Sequence, residues 1–231
     1  MNGIINLYKP KGISSAQAVG KVKKILSRKD VGHMGTLDPE ATGVLLIGVG
    51  KATRLFDFFL QKDKVYDAEF TFGYETDTLD ASGTILRSTD HIPSKSEIDT
   101  ALKKQIGKID QLPPKYSAKS INGRRAYDLA REGKEFELKA NKVEIYSIDI
   151  LGNRDEKTYR FRIHCGAGTY IRSICRDLAY GCGSLAAMTA LERTRCGNFD
   201  IKDSVTLDKL ELLGETAVIS SQEILRDRDE L

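Results

Sequence analysis

Apolar residues recur along this chain with two different periods, and the changes of period mark out its elements. Gly3–Tyr8 is predicted as a strand, ended by the turn Lys9-Pro10-Lys11-Gly12. Ser14 and Ser15 are N-caps for a helix whose Ala18, Val22, Ile25 and Leu26 share one face, with Lys21, Lys24 and Arg28 opposite. Val44–Val49 has the length and composition of a buried strand, and Lys51–Leu60 reads as a short amphipathic helix. In Lys64–Gly73 the residues Tyr66, Ala68, Phe70 and Phe72 alternate onto one face, a strand pattern, and Thr76–Gly83 is polar turn chemistry. Ser94-Lys-Ser-Glu97 is a capping box opening a helix to about Ile106, and Asn122-Gly123 is the strongest short turn signal. Two strands follow, Val143–Leu151 and Tyr159–Cys165, around the polar turn Gly152–Lys157. In the second, Arg160, Arg162 and His164 make one face wet or ligand-facing. A glycine turn at Gly166 leads into a helix burying Ile171, Ile174 and Leu178, with Arg172 and Arg176 on one face, and Thr206–Leu213 is a short helix.

Length changes this picture little. A chain of 231 residues can bury a sizeable core as one large domain or one domain with an appendage. No apolar run approaches the ~20 residues of a membrane span. The N-terminus lacks a signal layout, so a cytoplasmic protein without membrane association is expected. Cys165, Cys175, Cys182 and Cys196 have neither zinc nor redox spacing and are expected to be reduced structural thiols, with no metal.

Charge changes it more. The formal net charge is +3, but Lys9 to Lys29 holds seven Lys/Arg and no acid, whereas Asp203–Leu231 is net −5. That asymmetry suggests a polyanionic partner for the body of the protein, although a solvated helix face explains many lysine runs. From Lys115 to Lys142 there are eight bases and four acids interleaved with Tyr116 and Tyr127. Cations for phosphate with aromatics for stacking suit an RNA-contacting arm, while a surface hairpin with ordinary salt pairs fits the same composition.

Candidate chemistry centres on Gly32–Gly43, G-H-M-G-T-L-D-P-E-A-T-G. Its glycines permit tight turns, and Pro39 fixes its own φ and pushes Asp38 towards extended geometry. The result is a stiff loop carrying one carboxylate on the lip of a core strand, a position suited to function. Taken alone, Asp before Pro is usually a turn former or helix cap, and a loop histidine such as His33 usually a hydrogen-bonding residue. Nearby Gly48-Val-Gly50-Lys51 is not a phosphate loop, because Leu45 stands where its first glycine belongs and Ala52 follows the lysine.

The twelve residues Gly32–Gly43 resemble the signature loop of the TruB family of tRNA pseudouridine synthases, in which the aspartate is catalytic. Four further stretches resemble motifs of that family in the same order. They are K-P-K-G-I-S-S from Lys9, Lys64-Val-Tyr66 with the T-D-T-L-D loop from Thr76, G-T-Y-I-R ending at Arg172, and A-L-E-R-T-R-C-G-N-F ending at Phe199. The resemblance covers roughly residues 3–200.

It implies an α+β pseudouridine synthase fold, a long mixed and mostly antiparallel sheet flanked by helices with a thumb-like insertion. The catalytic domain would span 1–200, with an RNA-gripping arm at about 112–142. Residues 201–231 would be a short acidic segment in place of the family's usual PUA domain. The implied reaction isomerises uridine 55 in the T-loop of tRNA without a cofactor, in a monomer. Asp38 would be the catalytic carboxylate, attacking C1′ or abstracting a ribose proton. Arg172 would pair with it, and Tyr66 would stack on the uracil and pass the C5 proton. Lys9 would support the site floor, Tyr170 and Leu191 would line and close the base pocket, and His33 would fill the space that the flipped base leaves. Arg124 and Arg125 would grip the T-arm. Two alternatives stay open at this level: a relative working with a guide RNA, and a non-catalytic RNA-binding or RNA-folding module.

Overall fold

In the computed structural model, residues 2–117, 119–121 and 123–220 are described. Asn122 of the expected Asn122-Gly123 turn, and residues 221–231 of the acidic segment, lie outside them. The chain begins with β1 (Gly3–Lys9), α1 (Ser15–Ile25), β2 (Val31–His33) and β3 (Thr42–Val49). A 3₁₀ stretch (Gly50–Leu55) runs into α2 (Phe56–Leu60), then β4 (Lys64–Phe72), β5 (Tyr74–Thr76), β6 (Ile85–Ser88), α3 (Lys95–Leu102) and β7 (Gly107–Gln111). The basic segment holds β8 (Ser120–Ile121), β9 (Arg124–Arg125) and α4 (Ala126–Arg131). After it come β10 (Asn141–Asn153), β11 (Thr158–Cys165), α5 (Ile171–Gly181), β12 (Ala186–Cys196), β13 (Phe199–Asp200), α6 (Leu207–Leu213) and β14 (Ile219–Ser220). The fold is α+β, with a large, mostly antiparallel mixed sheet and helices flanking it. No helix among the described residues is long and apolar enough to cross a membrane.

Contacts divide the chain into two units, Met1–Tyr66 with Leu191–Leu231, and Asp67–Ala190. In the first, β1 pairs antiparallel along the whole of one edge of β3. The other edge of β3 takes β12 in parallel at its start (Glu192↔Thr42, Arg193↔Gly43) and β2 antiparallel at its end. Both faces of β3 are covered as well, since the consecutive residues Val44, Leu45, Leu46 and Ile47 are all fully buried. That is why its sequence is a continuous apolar run without alternation. The helix before it starts as expected: Ser14 Oγ accepts from the Gln17 backbone N–H, and the Gln17 side chain accepts from the Ser14 N–H. Ala18, Val19 and Val22 of α1 are buried.

In the second unit, β4 alternates buried and half-buried residues without a break, and Phe70 meets Phe161 of β11 at 4.8 Å between ring centres. The face of β11 carrying Arg160 and Arg162 is occupied by cross-strand ion pairs, most closely Arg162 bidentate to Asp67 at 2.8 Å for both bonds. β10 pairs antiparallel with β11 and with β7, and two register shifts leave Tyr146 and Leu151 as the extra residues. Helix α5 buries Ile171, Ile174, Cys175, Leu178 and Ala179.

Two expected elements differ, and several strands had no expectation. Lys51–Leu60 is not one α-helix; its first turns are 3₁₀, with the Thr53 hydroxyl donating to the Gly50 carbonyl at 2.8 Å, and only Phe56–Leu60 is α. A β-branched residue that bonds back to the chain, after a glycine at φ +64°, favours the tighter turn. The helix opened by the Ser94–Glu97 box ends at Leu102 rather than Ile106. Lys104 and Gln105 N–H groups bond three residues back, and Gly107 takes φ +100°. Strands β2, β5, β6 and β7 carry too few apolar residues to be read as strands from the chain alone, since β6 is exposed throughout.

Candidate functional site

The chain leaves the sheet at His33 and re-enters it at Thr42, and the eight residues between are irregular but not loose. Met34, Leu37 and Ala41 are buried in the core of the first unit, and the Met34 N–H donates to the Leu46 carbonyl at 2.8 Å. With Leu37 turned inward, its neighbour Asp38 is left half-buried at the surface. The Ala41 N–H closes a turn onto the Asp38 carbonyl at 3.1 Å, with Pro39 in the position where its fixed φ suits a turn. His33 Nδ1–H donates to the Gly35 carbonyl at 2.7 Å, so the histidine is tied into the same loop.

Three buried side chains hold this backbone. Lys9 is fully buried, and its ammonium donates to the carbonyls of Pro10 and Ile13 at 2.8 Å each and of Pro39 at 3.1 Å. Burial pushes its pKa down to about 8; the Asp38 and Glu40 carboxylates act upward and the Arg193 guanidinium downward. The Ser15 hydroxyl takes the Leu37 N–H at 2.9 Å and donates to the Leu37 carbonyl at 3.1 Å. Arg193, only 2% exposed, donates from Nε to the Val44 carbonyl at 2.7 Å and from Nη1 to the Thr36 carbonyl at 3.4 Å. Where β12 passes β3, Gly43 has φ +99° and a Cβ there would lie 2.3 Å from the Arg193 carbonyl oxygen, so only glycine fits.

Tyr66 and Leu191 stand where β4 and β12 belong to the first unit, both nearly buried. Tyr66 continues the inward stripe of β4, and the Thr194 hydroxyl donates to the Val65 carbonyl at 3.3 Å beside it. Of the residues singled out from the sequence, the first unit thus contains Lys9, His33, Asp38, Tyr66 and Leu191.

The second unit contains Tyr170, Arg172, Arg124 and Arg125. Tyr170 is the N-cap of α5 but caps it with no side-chain bond. The buried amide of Gln111 fastens its backbone instead, accepting from the Tyr170 N–H at 2.8 Å and donating to its carbonyl at 3.2 Å. In the first turn of α5, Arg172 is 6% exposed. Its Nη1 donates to the Thr78 carbonyl and its Nη2 to the Tyr116 carbonyl, both at 3.0 Å, and Asp80 Oδ2 lies 3.7 Å away. Asp80 is itself held by Thr78 Oγ1 at 2.8 Å and the Ser82 N–H at 3.0 Å. The Thr76–Gly83 turn is therefore the bracket for Arg172, and Arg172 also ties down the root of the basic segment. Farther out, Arg124 pairs with Glu132, which Lys134 also reaches at 2.8 Å. These two cations hold the Glu132 carboxyl down to about 2. Within this unit a cavity of about 980 Å³ opens between the Leu112–Tyr116 stretch and residues 133–138.

Several anchoring residues were invisible to sequence reasoning. Arg193 and Gln111 stand at inward-facing positions of strands, where a polar side chain breaks the apolar rule. That mismatch was the available signal. Of the seven cations between Lys9 and Lys29, Lys9 is internal and Arg28 pairs with Asp30 at 2.6 Å, so the basic run is smaller than it reads.

Comparison with known proteins places this geometry. The TruB family pseudouridylate synthase N-terminal domain matches residues 23–171, and the tRNA pseudouridylate synthase B C-terminal domain matches residues 172–227. The tRNA pseudouridine synthase B of Clostridioides difficile (strain 630) is 47% identical over 222 residues, covering 95% of this chain and 73% of that protein. That of Borreliella afzelii (strain PKo) is 42% identical over 234 residues, covering 100% of this chain and 83% of its own. Among solved structures, a chain of a Cbf5-Nop10-Gar1 complex has a TM-score of 0.71 at 30% identity over 90% of this chain; this chain spans about half, 53%, of that one. A family domain matched over more than half of the residues, and relatives above 40% identity along nearly the whole length, lead to one conclusion: the chain belongs to the TruB family of pseudouridylate synthases.

Proposed function

We propose that this protein converts uridine 55 in the T-loop of tRNA to pseudouridine, with Asp38 as the catalytic carboxylate. The reaction breaks the N1–C1′ bond, turns the uracil over, joins C5 to C1′ and moves the C5 proton to solvent. Nothing is oxidised or reduced, and one carboxylate acting at C1′ or on a ribose proton suffices. The observation that carries this reading is the loop itself: Asp38 stands half-exposed on a turn whose neighbours are locked by Lys9, Ser15 and Arg193. Such preorganisation puts a reacting group at a fixed place before substrate arrives.

A carboxylate in a dry site needs an opposing cation to stay ionised. Arg172 is assigned that role in this proposal, because a guanidinium stays charged and presents a planar fork to a carboxylate. Tyr66 stacks on the target base, Tyr170 and Leu191 line its pocket, and His33 takes the space the base vacates. The base must leave the stack first, at a cost of about a few kcal/mol, which phosphate contacts elsewhere offset. Arg124 and Arg125 in the 112–142 arm are assigned to those contacts, and residues 1–200 to the catalytic domain. Work as a monomer in the cytoplasm, without metal, belongs to the same reading. The names of the bacterial relatives, tRNA pseudouridine synthase B, support the substrate.

The test is tritium release from tRNA carrying 5-tritiated uridine, with a bare transcript and no other component. Release by the wild-type chain that Asp38→Asn abolishes is the expected result. Release by Asp38→Asn at the wild-type rate would remove the catalytic assignment. Inertness on bare tRNA, relieved by a guide RNA, would instead favour the working mode of an H/ACA-type relative.

A further inference from the structure

We propose that Arg193 is a positioning residue, whose guanidinium bolts the backbone on both sides of Asp38 and so sets where that carboxylate stands. The inference rests on the reading of Asp38 as catalytic, and extends it to a residue on a distant strand.

The first observation is an energetic oddity. Arg193 is 2% exposed, no carboxylate pairs with it among the described residues, and its buried Nη2 has no hydrogen-bond partner there. A buried cation held only by carbonyl dipoles, with donors left over, is costly. Replacing a buried ion by an apolar side chain of similar volume is often neutral for stability, so stability alone is a weak account of the arginine. An unsatisfied buried donor calls for another account.

The second observation is what the guanidinium spans. Nε holds Val44 at 2.7 Å, the point where the chain is already in β3, and Nη1 reaches Thr36 at 3.4 Å, two residues before Asp38. Two carbonyls eight positions apart in sequence are thus tied to one rigid plane. The planar fork fixes the two directions relative to each other, which the freely rotating donors of an ammonium do not. On the far side of Asp38, Lys9 holds the Pro39 carbonyl, while on the near side Ser15 holds both polar groups of Leu37. The carboxylate therefore sits between fixed points, and Arg193 ties the loop before Asp38 to β12 as Lys9 ties the residue after it to β1. Parallel pairing of Arg193 with Gly43 places the arginine for this task.

The third observation supplies a readout separate from activity. Arg193 also faces Lys9, whose other charged neighbours are Asp38 and Glu40 from the loop. Removing the guanidinium removes a repelling cation from Lys9, so the lysine should titrate higher than in the wild-type chain.

The experiment uses the full chain with Arg193→Met and Arg193→Lys, measuring single-turnover rate, tRNA affinity, melting temperature and the Lys9 side-chain titration by NMR of labelled lysine. Expected for Arg193→Met is a rate loss on the order of 10²-fold, from misplacement of about 1 Å, with tRNA affinity unchanged. Its Lys9 midpoint should rise above the wild-type value of about 8. Arg193→Lys, which keeps charge but not the fork, should lose rate as well. A wild-type rate in either variant would overturn the proposal. So would parallel loss of affinity, melting temperature and rate in both, which would mark an ordinary core residue. If Arg193→Met does not fold, the Arg193→Lys rate decides alone. Failure of the underlying reading looks different: Asp38→Asn would then keep its rate, while the Lys9 midpoint still rises in Arg193→Met.

Discussion

The Asp38 loop and the basic arm are both irregular segments between strands, yet they are built on opposite principles. Between Met34 and Ala41, apolar side chains point into the core and three buried donors, from β1, α1 and β12, seize the backbone. In the arm, the short β8–β9 pair and α4 carry their charges at the surface, where Arg124 and Lys134 share Glu132 and the Arg131 guanidinium lies 5.5 Å over the Tyr127 ring. Exposed pairs of this kind are screened by solvent and contribute little to stability, which leaves the cations open to other anions. One segment is made to hold an atom in place, the other to keep cations available. The difference teaches that a loop's chemistry is written in what grips its backbone, not in its lack of regular structure.

That contrast can be broken by mutation. Asp38→Asn should cost the most, lowering tritium release on the order of 10⁴-fold with little change in melting temperature. Next is Gly43→Ala, which combines φ +99° with a contact of 2.3 Å to the Arg193 carbonyl. It should destabilise the chain by about 3 kcal/mol in urea unfolding, because backbone rather than a side-chain tip must move. A smaller loss is expected of Ser14→Ala, about 1 kcal/mol, since it removes the cap of α1 and with it the support for Ser15. Neutralising Arg124 and Arg125 together should leave stability within about 0.5 kcal/mol. Its signature is in binding: the slope of log affinity against log salt should shrink by about one unit per lost phosphate contact, and an unchanged slope would reject the gripping role.

The pH dependence sharpens the same comparison. Lys9 is depressed to about 8, so as pH rises through that value its ammonium loses a proton and one of its donors to the loop. Turnover should fall on the alkaline side near pH 8, while tRNA affinity, assigned in our proposal to the exposed Arg124 and Arg125, should not follow the same curve. A rate flat up to pH 10 in the presence of unchanged affinity would count against Lys9 as a support of the loop.

Much of this is legible in the sequence. The alternation of Tyr66, Ala68, Phe70 and Phe72, the apolar run Val44–Val49 and the capping boxes at Ser14 and Ser94 are local signals, and each element forms where they place it, although the helix after Ser94 ends at Leu102, short of Ile106. The alternation in Tyr159–Cys165 implies a wet or ligand-facing side, and there Arg160 and Arg162 meet Glu69 and Asp67 of β4. The segment Ala186–Arg195 carried a motif but no assigned element, because a strand with Arg193 facing inward obeys neither period cleanly. Lys9 was expected to support a floor; that it donates to three carbonyls and is wholly enclosed could not be read from K-P-K-G.

By itself, then, the order of residues determined the periodic elements, the stiff turn at Asp38-Pro39 and the family to which the chain belongs, because these depend on neighbours within a few positions or on a contiguous motif. Tertiary structure alone decided that Lys9, Ser15 and Arg193 converge on the backbone of residues 36–39, and that Gln111, Thr78 and Tyr116 fasten the start of α5. The physical reason is that a buried polar group must find a partner wherever the fold brings one. Such partners, up to 157 positions away in sequence for Arg193 and Thr36, are selected by strand register and not by spacing along the chain.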